Sequence, residues 1–178
     1  MFLSAVWRAE AGSVIRSDET FMRKRLITAA PDVGPRTDRD WLDLDRVATV
    51  EVTSEADDHP VESALLLSEI CGWRAARPGA QIIRLLFDQP QTVKRVSLVF
   101  EETENTRTQE FVLRWSSDFG GSYREIVRQQ WNFSPPGTVR EAEDYSVDLS
   151  NVTVVELEIV PDKSGGEARA SLESLRLA

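Results

Sequence analysis

The stretch that decides the fold runs from residue 83 to residue 100 and reads IRLLFDQPQTVKRVSLVF. Apolar side chains occupy every second position at Ile83, Leu85 and Phe87, and the same period returns from residue 96 to residue 100. A period of two places successive side chains on opposite faces of a β-strand. Asp88–Gln91 lie between the two parts and include the Asp and Pro that favour turns. The stretch therefore predicts two strands joined by a short turn.

The same period recurs along the chain from Trp41 onward, and about eight strands are predicted. Besides the two above, they are Ala48–Val52, Phe111–Trp115, Tyr123–Gln130, Thr138–Asp148, Val155–Ile159 and a last strand ending in Leu175 and Leu177. Charged residues at the alternate positions indicate one solvent face per sheet, which favours two antiparallel sheets packed face to face. No helical pattern of 10–15 residues separates the strands, so βαβ units are excluded. The predicted class is an all-β sandwich.

The composition of the chain narrows the classes of ligand and metal site that it can have. The 178 residues carry 21 Lys and Arg against 30 Asp and Glu, a net charge of −9, with a single His and a single Cys. This balance disfavours nucleic acid and anionic membranes as partners, because phosphate binding depends on basic side chains. Cys71 has no partner for a disulfide, and one His with one Cys excludes the usual four-ligand zinc site.

The first forty residues differ from the rest. They carry seven basic and six acidic side chains, whereas residues 41–178 carry fourteen and twenty-four. Ser17 is a candidate N-cap for a short helix that ends before Pro31. We expect residues 1–40 to form an appendage with this helix and residues 41–178 to form the sandwich. Arg8 and Glu10 interrupt the apolar N-terminal stretch, so no secretory signal is expected and the expected location is cytoplasmic.

The connections between the predicted strands alternate in length. Asp88–Gln91, Asp118–Gly121 and Ser150–Asn151 are short, and the long connections are Ser54–Ala80, Glu102–Thr108, Trp131–Gly137 and Pro161–Glu167. In an up-and-down succession of antiparallel strands, every second connection lies at the same end. The four long connections are therefore predicted to lie together at one end, where binding residues commonly collect.

Four stretches together resemble the galactose-binding-like jelly roll of discoidin (coagulation factor 5/8 type C) domains and related carbohydrate-binding modules. They are His59–Leu65, Gly72–Ala75, Ser117–Ile126 and Ala170–Leu177, and the resemblance spans Val47 to Leu177. It implies an eight-stranded antiparallel jelly-roll β-sandwich that binds ligands, often glycans, at the loop-bearing end, without catalysis.

The resemblance also bears on calcium, which these domains often hold for structural reasons. Ser174 occupies the position of an acidic residue in the closing strand, and Leu67–Cys71 replace the acidic loop. Calcium needs six to eight oxygen ligands, several of them charged. A structural calcium ion is disfavoured, and no cofactor is expected.

Sugar binding is favoured by an aromatic ring that stacks on the apolar face of a pyranose and by polar groups that bond its hydroxyls. The candidates for stacking are Trp131 and Phe133, and the candidates for hydrogen bonding are His59, Asn105, Arg107, Asn132 and Arg140. Trp131 is about equally compatible with a place in the core, whereas for His59 a hydrogen bond inside its loop is favoured over a ligand contact. Trp73 and Trp115 are expected in the core.

Catalysis is disfavoured, because a nucleophilic triad has only His59 and Cys71 to draw on and no oxyanion hole is visible. The acidic run Glu101–Glu104 is typical of a solvated edge. Two binding functions remain open. The first is a non-catalytic carbohydrate-binding module, and the second is an intracellular protein–protein interaction module that uses the N-terminal helix or an acidic sheet face.

Overall fold

The structure is a computed structural model that describes residues 41–66 and 71–178. The helix predicted after Ser17, the appendage over residues 1–40 and most of the Leu67–Cys71 loop therefore lie outside the described residues.

Strands dominate the described part of the chain, and every strand pair is antiparallel. The elements are α1 (Leu44–Val47), β1 (Ala48–Val52), α2 (Glu62–Leu65), β2 (Trp73–Pro78), β3 (Gln81–Glu101), β4 (Arg107–Ser116), β5 (Arg124–Phe133), β6 (Arg140–Val160), β7 (Arg169–Leu172) and β8 (Ser174–Leu177). Both helices are single turns, and none of the helices described here is long and apolar enough to cross a membrane. The predicted all-β class is confirmed.

Two predicted hairpins are wrong, because β3 and β6 each run through the expected turn as one bent strand. Residues 81–86 of β3 pair with residues 154–159 of β6, and residues 95–101 pair with residues 140–146. The register slips between these two regions, at Gln89–Pro90 on β3 and near Asn151 on β6, where φ is +56°. The turn residues bend the strands instead of reversing them, because each half finds its hydrogen bonds on a distant strand rather than on its neighbour.

The bends make two layers. The first half of β3 and the second half of β6 lie in a five-stranded layer ordered β1–β3–β6–β4–β5. The other halves form a three-stranded layer with β8. A separate pair, β2–β7, was not predicted. Strand β2 lies in a stretch expected to be a connection, and β7 lies in a stretch expected to be part of a longer last strand. The arrangement is a jelly-roll sandwich.

Apolar side chains at alternate positions fill the space between the layers. Ile83, Leu85 and Phe87 are buried, as the period of two predicts. The ring of Phe100, in the three-stranded layer, lies 5.3 Å from that of Phe111 in the five-stranded layer. Contacts of this kind make one continuous core.

Two tryptophans expected in the core differ in how deeply they lie. Trp73 is fully buried, and its Nε1 donates a hydrogen bond to the carbonyl of Ser54. Trp115 is half-buried against the core, and the guanidinium of Arg124 lies 5.4 Å from its ring centre. The core prediction is confirmed for Trp73 and holds for one face of Trp115.

The outer face of the five-stranded layer carries a row of alternating charges. Glu156 on β6 lies between Arg84 on β3 and Arg114 on β4, with nitrogen-to-oxygen distances of 2.7 and 3.0 Å. Glu156 is only 5% exposed, so this carboxylate is neutralised by two guanidinium groups rather than by water.

The strand registers place the long connections at one end of the sandwich. At the strand ends, Val52 pairs with Ile83, Glu101 with Arg140, and Arg107 with Phe133. The chain therefore leaves and enters the layers at the same end each time. The prediction of one loop-rich end and one tight end is confirmed, with the bends of β3 and β6 replacing two of the short turns.

Candidate functional site

A cleft of about 280 Å³ opens at the loop-rich end, and its lining is almost entirely polar or charged. We call it the charged cleft. Strand β2 contributes one wall, the β3–β4 connection and the start of β4 a second, and the segment that leads into β7 a third. The lining residues are Arg74, Glu102, Glu104, Asn105, Arg107, Glu167, Ala168, Arg169 and Ser171.

Arg107 forms the base of the charged cleft, and each of its three guanidinium nitrogens contacts a polar group of the fold. Its Nη1 donates to the carbonyl of Arg169 at 2.7 Å, and its Nη2 donates to Ser171 Oγ and Gln109 Oε1, each at 3.2 Å. Its Nε lies 3.1 Å from Glu102 Oε2, an ion pair whose geometry falls short of a hydrogen bond. Burial lowers the pKa of Arg107, and the charge of Glu102 opposes this shift. Arg107 thus links β4 to β7.

Glu102 organises the loop that follows β3. Its Oε1 accepts hydrogen bonds from the backbone N–H groups of Glu104 and Asn105, at 2.8 and 2.9 Å. The same carboxylate neutralises Arg107 through its other oxygen. One buried acid therefore fixes both the backbone that carries Asn105 and the guanidinium at the base of the cleft.

Four charged side chains at the rim remain available. Arg74, Arg169, Glu104 and Glu167 are exposed. None of the four makes an ion pair with another residue in the described part of the chain. Guanidinium groups donate hydrogen bonds in a planar fork and carboxylates only accept them. The rim thus offers donors and acceptors to one bound molecule.

A second depression of about 260 Å³ adjoins the charged cleft and shares Arg74 and Ser171 with it. His59 lines this depression, and its Nδ1 lies 3.1 Å from the carbonyl oxygen of Cys71. Because a carbonyl only accepts, Nδ1 carries the proton in this contact. The hydrogen bond within its loop that the sequence allowed for His59 is confirmed, and a ligand contact stays a prediction.

A third depression, of about 680 Å³, shares Arg107 with the charged cleft. We call it the neutral depression, and it is lined by Thr106, Arg107, Thr108, Asn132, Phe133, Ser134, Asp162, Lys163 and Ser164. Asn132 is exposed there, and its Oδ1 accepts a hydrogen bond from Thr108 Oγ1 at 2.8 Å.

The two predicted stacking residues are in the core, so that prediction is wrong. Trp131 is 7% exposed and Phe133 is 1% exposed. The ring of Trp131 lies 5.0 Å from those of Phe100 and Phe111. The cause is strand parity, since β5 continues to Phe133 and turns its odd-numbered side chains inward and Asn132 outward. The alternation of Gln130 and Asn132 with two aromatic residues is the signal that identifies this strand.

Three other residues predicted to bind the ligand differ in where the structure places them. Asn105 lines the charged cleft, and its role in binding stays a prediction. Arg107 also lines the cleft, but its polar atoms are engaged in the fold. Arg140 is exposed at the start of β6, opposite Glu101, and lines none of these three depressions.

The sequence did not single out Arg74, Glu104, Glu167, Arg169 or Ser171. Arg74 lies in the Gly72–Ala75 stretch that carried part of the family resemblance, but only the pairing of β2 with β7 brings it beside Ser171. No periodic signal marks a side chain whose importance depends on such a distant pairing.

Among the described residues, no group of three or more His, Cys, Asp and Glu side chains is placed to hold a metal ion. Cys71 is an exposed free thiol.

Comparison with known proteins concerns the fold. No protein family and no curated protein matches the chain by sequence. A pectin-binding carbohydrate-binding module is 14% identical, with a TM-score of 0.54 over 74% of this chain and 90% of that one. A family 32 module of AlyQ, in complex with 4,5-unsaturated mannuronic acid, is 18% identical, with a TM-score of 0.53 over 74% and 95% of the two chains.

A family 32 module from Clostridium perfringens, in complex with GalNAc-β-1,3-galactose, is 19% identical, with a TM-score of 0.55 over 73% of this chain and 94% of that one. Likeness at such identities shows the fold alone. It confirms the galactose-binding-like jelly roll that the sequence resembles.

Proposed function

We propose that the chain is a non-catalytic carbohydrate-binding module and that the sugar enters the charged cleft. The observation that carries this proposal is the set of four rim side chains, Arg74, Arg169, Glu104 and Glu167, which are exposed and unpaired with each other around one cleft. A sugar hydroxyl both donates and accepts, so adjacent hydroxyls match a surface that offers guanidinium donors beside carboxylate acceptors.

The base of the cleft supports the same function. Arg107 and Glu102 are buried, ion-paired with each other and hydrogen-bonded to the backbone, so the loop and the β7 wall are held in place before a ligand arrives. A preformed site loses less conformational freedom when it binds. The structural neighbours of this fold include modules in complex with mannuronic acid and with GalNAc-β-1,3-galactose, which makes a sugar the leading class of ligand.

The cleft lacks an exposed aromatic ring among its lining residues, and this sets the expected affinity. At about −0.3 kcal/mol per non-hydrogen atom, a hexose of about twelve such atoms gains about −4 kcal/mol. This corresponds to a Kd on the order of 1 mM. We expect a single sugar unit to bind weakly and through hydrogen bonds.

The test is a glycan array with multivalent display on the full chain, followed by titration calorimetry or NMR titration of each sugar that gives a signal. The double variant R74A/R169A removes both free guanidinium groups and is expected to weaken binding at least ten-fold. Because both side chains are exposed, we expect the variant to stay folded with a change in stability within about 0.5 kcal/mol.

Arg46→Ala is the matched control. Arg46 is also exposed and makes no ion pair with a described residue, but it precedes β1 at the tight end. Its removal is expected to leave sugar binding unchanged. The proposal is wrong if no glycan binds saturably, or if R74A/R169A binds as tightly as the unmodified chain. A failure with every glycan would favour the protein-interaction alternative.

A further inference from the structure

The charged cleft is small for a whole ligand. Small-molecule sites typically measure about 300–1,000 Å³, and the cleft measures about 280 Å³. The neutral depression, at about 680 Å³, lies directly beside it, since Arg107 lines both. Two neighbouring depressions of different chemistry therefore occupy the same end of the sandwich.

The charged side chains of the neutral depression already interact with other groups of the fold. Lys163 Nζ lies 3.1 Å from Glu110 Oε2, outside the depression. Asp162 Oδ1 accepts two hydrogen bonds from Ser164, one from the backbone N–H and one from the hydroxyl. Lys163 is thus neutralised by Glu110 and Asp162 is hydrogen-bonded through one oxygen, in contrast to the charges at the rim of the charged cleft.

Apart from the second carboxylate oxygen of Asp162, the groups left for a ligand in this depression are neutral. The carbonyl oxygen of the Asn132 side chain is occupied by Thr108, while its Nδ2 has no hydrogen-bond partner among the described residues. The hydroxyls of Thr106 and Ser134 likewise make no hydrogen bond to the described part of the chain. An amide and two hydroxyls beside threonine methyl groups are suited to a sugar ring, which has hydroxyl edges and apolar C–H faces.

The neutral depression is also preformed. The backbone N–H of Lys163 donates to the carbonyl of Thr108 at 2.8 Å, so the loop after β6 is fixed against β4. Arg107 of β4 pairs with Phe133 of β5, and Ser134, which also lines the depression, forms an isolated bridge with Thr138. Its walls are thus held by backbone hydrogen bonds rather than by mobile side chains.

From this juxtaposition we infer that the ligand is an oligosaccharide, with one sugar unit in the charged cleft and the next in the neutral depression beside Asn132. The inference rests on the proposed function and adds to it that recognition extends past a single unit. A second unit raises affinity because its contacts are made without a second loss of overall rotation and translation.

The test is a chain-length series measured by titration calorimetry on the full chain. The probes are galactose with its β-1,4-linked dimer and trimer, galacturonic acid with its dimer and trimer, and the equivalent series of any other sugar that binds in the array. We expect the dimer or trimer of the recognised sugar to bind at least ten-fold more tightly than its monomer.

Asn132→Ala tests the location of the second unit, with Gln130→Ala as its control. Gln130 is exposed on the same strand two residues earlier and lies outside the depression. N132A is expected to remove most of the gain with chain length while leaving the affinity for the monomer unchanged, and Q130A to alter neither.

The outcomes separate the inference from the function on which it rests. If monomer and oligomers bind equally tightly, or if N132A leaves the chain-length gain intact, the extended site is refuted while the module remains a sugar binder. If no sugar of any length binds, the proposed function itself fails. If R74A/R169A weakens every length and N132A weakens only the longer ones, both stand.

Discussion

The buried pair Glu102–Arg107 yields the sharpest prediction, because its energetic role follows from its surroundings. The side chains of Arg107 and Glu102 are 3% and 9% exposed. Arg107→Met keeps much of the aliphatic length but deletes the guanidinium. The carboxylate of Glu102 then stays buried without its counter-charge, and the carbonyl of Arg169 loses a 2.7 Å hydrogen bond.

The expected cost of R107M is about 3–5 kcal/mol, the range for removing one partner of a buried ion pair. This is a large share of a total stability of about 5–15 kcal/mol. Glu102→Gln is expected to cost about 3 kcal/mol. Gln retains an acceptor for the N–H groups of Glu104 and Asn105, but it leaves the charge of Arg107 without compensation.

The two substitutions are expected to be non-additive. In E102Q/R107M no charge is left buried, so the double variant is expected to be more stable than the sum of the single effects predicts, by about 2 kcal/mol. The assay is urea unfolding followed by tryptophan fluorescence and circular dichroism, with linear extrapolation to water.

Arg74→Ala, in the same cleft but exposed, is the control and is expected to change stability by less than about 0.5 kcal/mol. The reasoning is refuted if R107M costs under about 1 kcal/mol, or if the single effects add up in the double variant. Either result would mean that water or a rearranged side chain satisfies Glu102 once the guanidinium is gone.

Three further predictions concern the core, a backbone constraint and the tight end. Trp131→Ala is expected to cost about 3–5 kcal/mol in urea unfolding, because the ring is buried in the core. Gly72→Ala is expected to be the more destabilising of two glycine variants. Both Gly72 and Gly79 have positive φ, but a Cβ at Gly72 would lie 2.8 Å from a backbone carbonyl of β7 and one at Gly79 would meet nothing within 4 Å. Hydrogen bonds from two flanking serines lower the pKa of Asp118 from 3.8 to about 2. Asp118 therefore adds stability above pH 3.8 that is lost as the pH falls towards 2, and Asp118→Asn is expected to flatten the dependence of Tm on pH in that window.

The faces of the strands could be predicted from the sequence, but several of the strand boundaries could not. Alternation places Ile83 and Leu85 inward wherever the strand pairs, because parity depends on the backbone alone. Pairing is different. Arg84 lies beside Glu156, 72 residues away, and nothing local distinguishes a hairpin at Gln89–Pro90 from a bent strand. Only competition among distant partners decides between them.

The aromatic residues of β5 show how a boundary error becomes an error in the site. Pro135, Pro136 and Gly137 mark a genuine interruption, and the sequence placed Trp131 and Phe133 in the loop that contains it. The strand in fact extends to Phe133, only two residues before the first proline. That shift turns two expected ligand contacts into core residues and leaves Asn132 between them as the outward side chain.

The acidic run Glu101–Glu104 shows the limit that matters most for function. The sequence indicates a solvated edge, yet Glu102 is buried against Arg107 while Glu101 and Glu104 are exposed. The three acids differ only in which way the strand end and its loop direct each carboxylate. Charge counts therefore identify the composition of a surface and not the charges that are structural.

The arginines of the charged cleft also divide into a buried structural residue and two exposed ones, and this division links stability to binding. Arg107 is buried and bonded, so its loss costs the fold several kcal/mol. An exposed guanidinium gains only about 0–1 kcal/mol from a surface ion pair, so leaving Arg74 and Arg169 unpaired costs the fold little. The same two groups retain all their donors for a ligand. If the cleft is a binding site, R74A/R169A loses sugar affinity with little change in unfolding, whereas R107M loses stability first. Substitutions of the rim charges can therefore alter ligand binding without unfolding the chain, because the Glu102–Arg107 pair beneath them stabilises the fold.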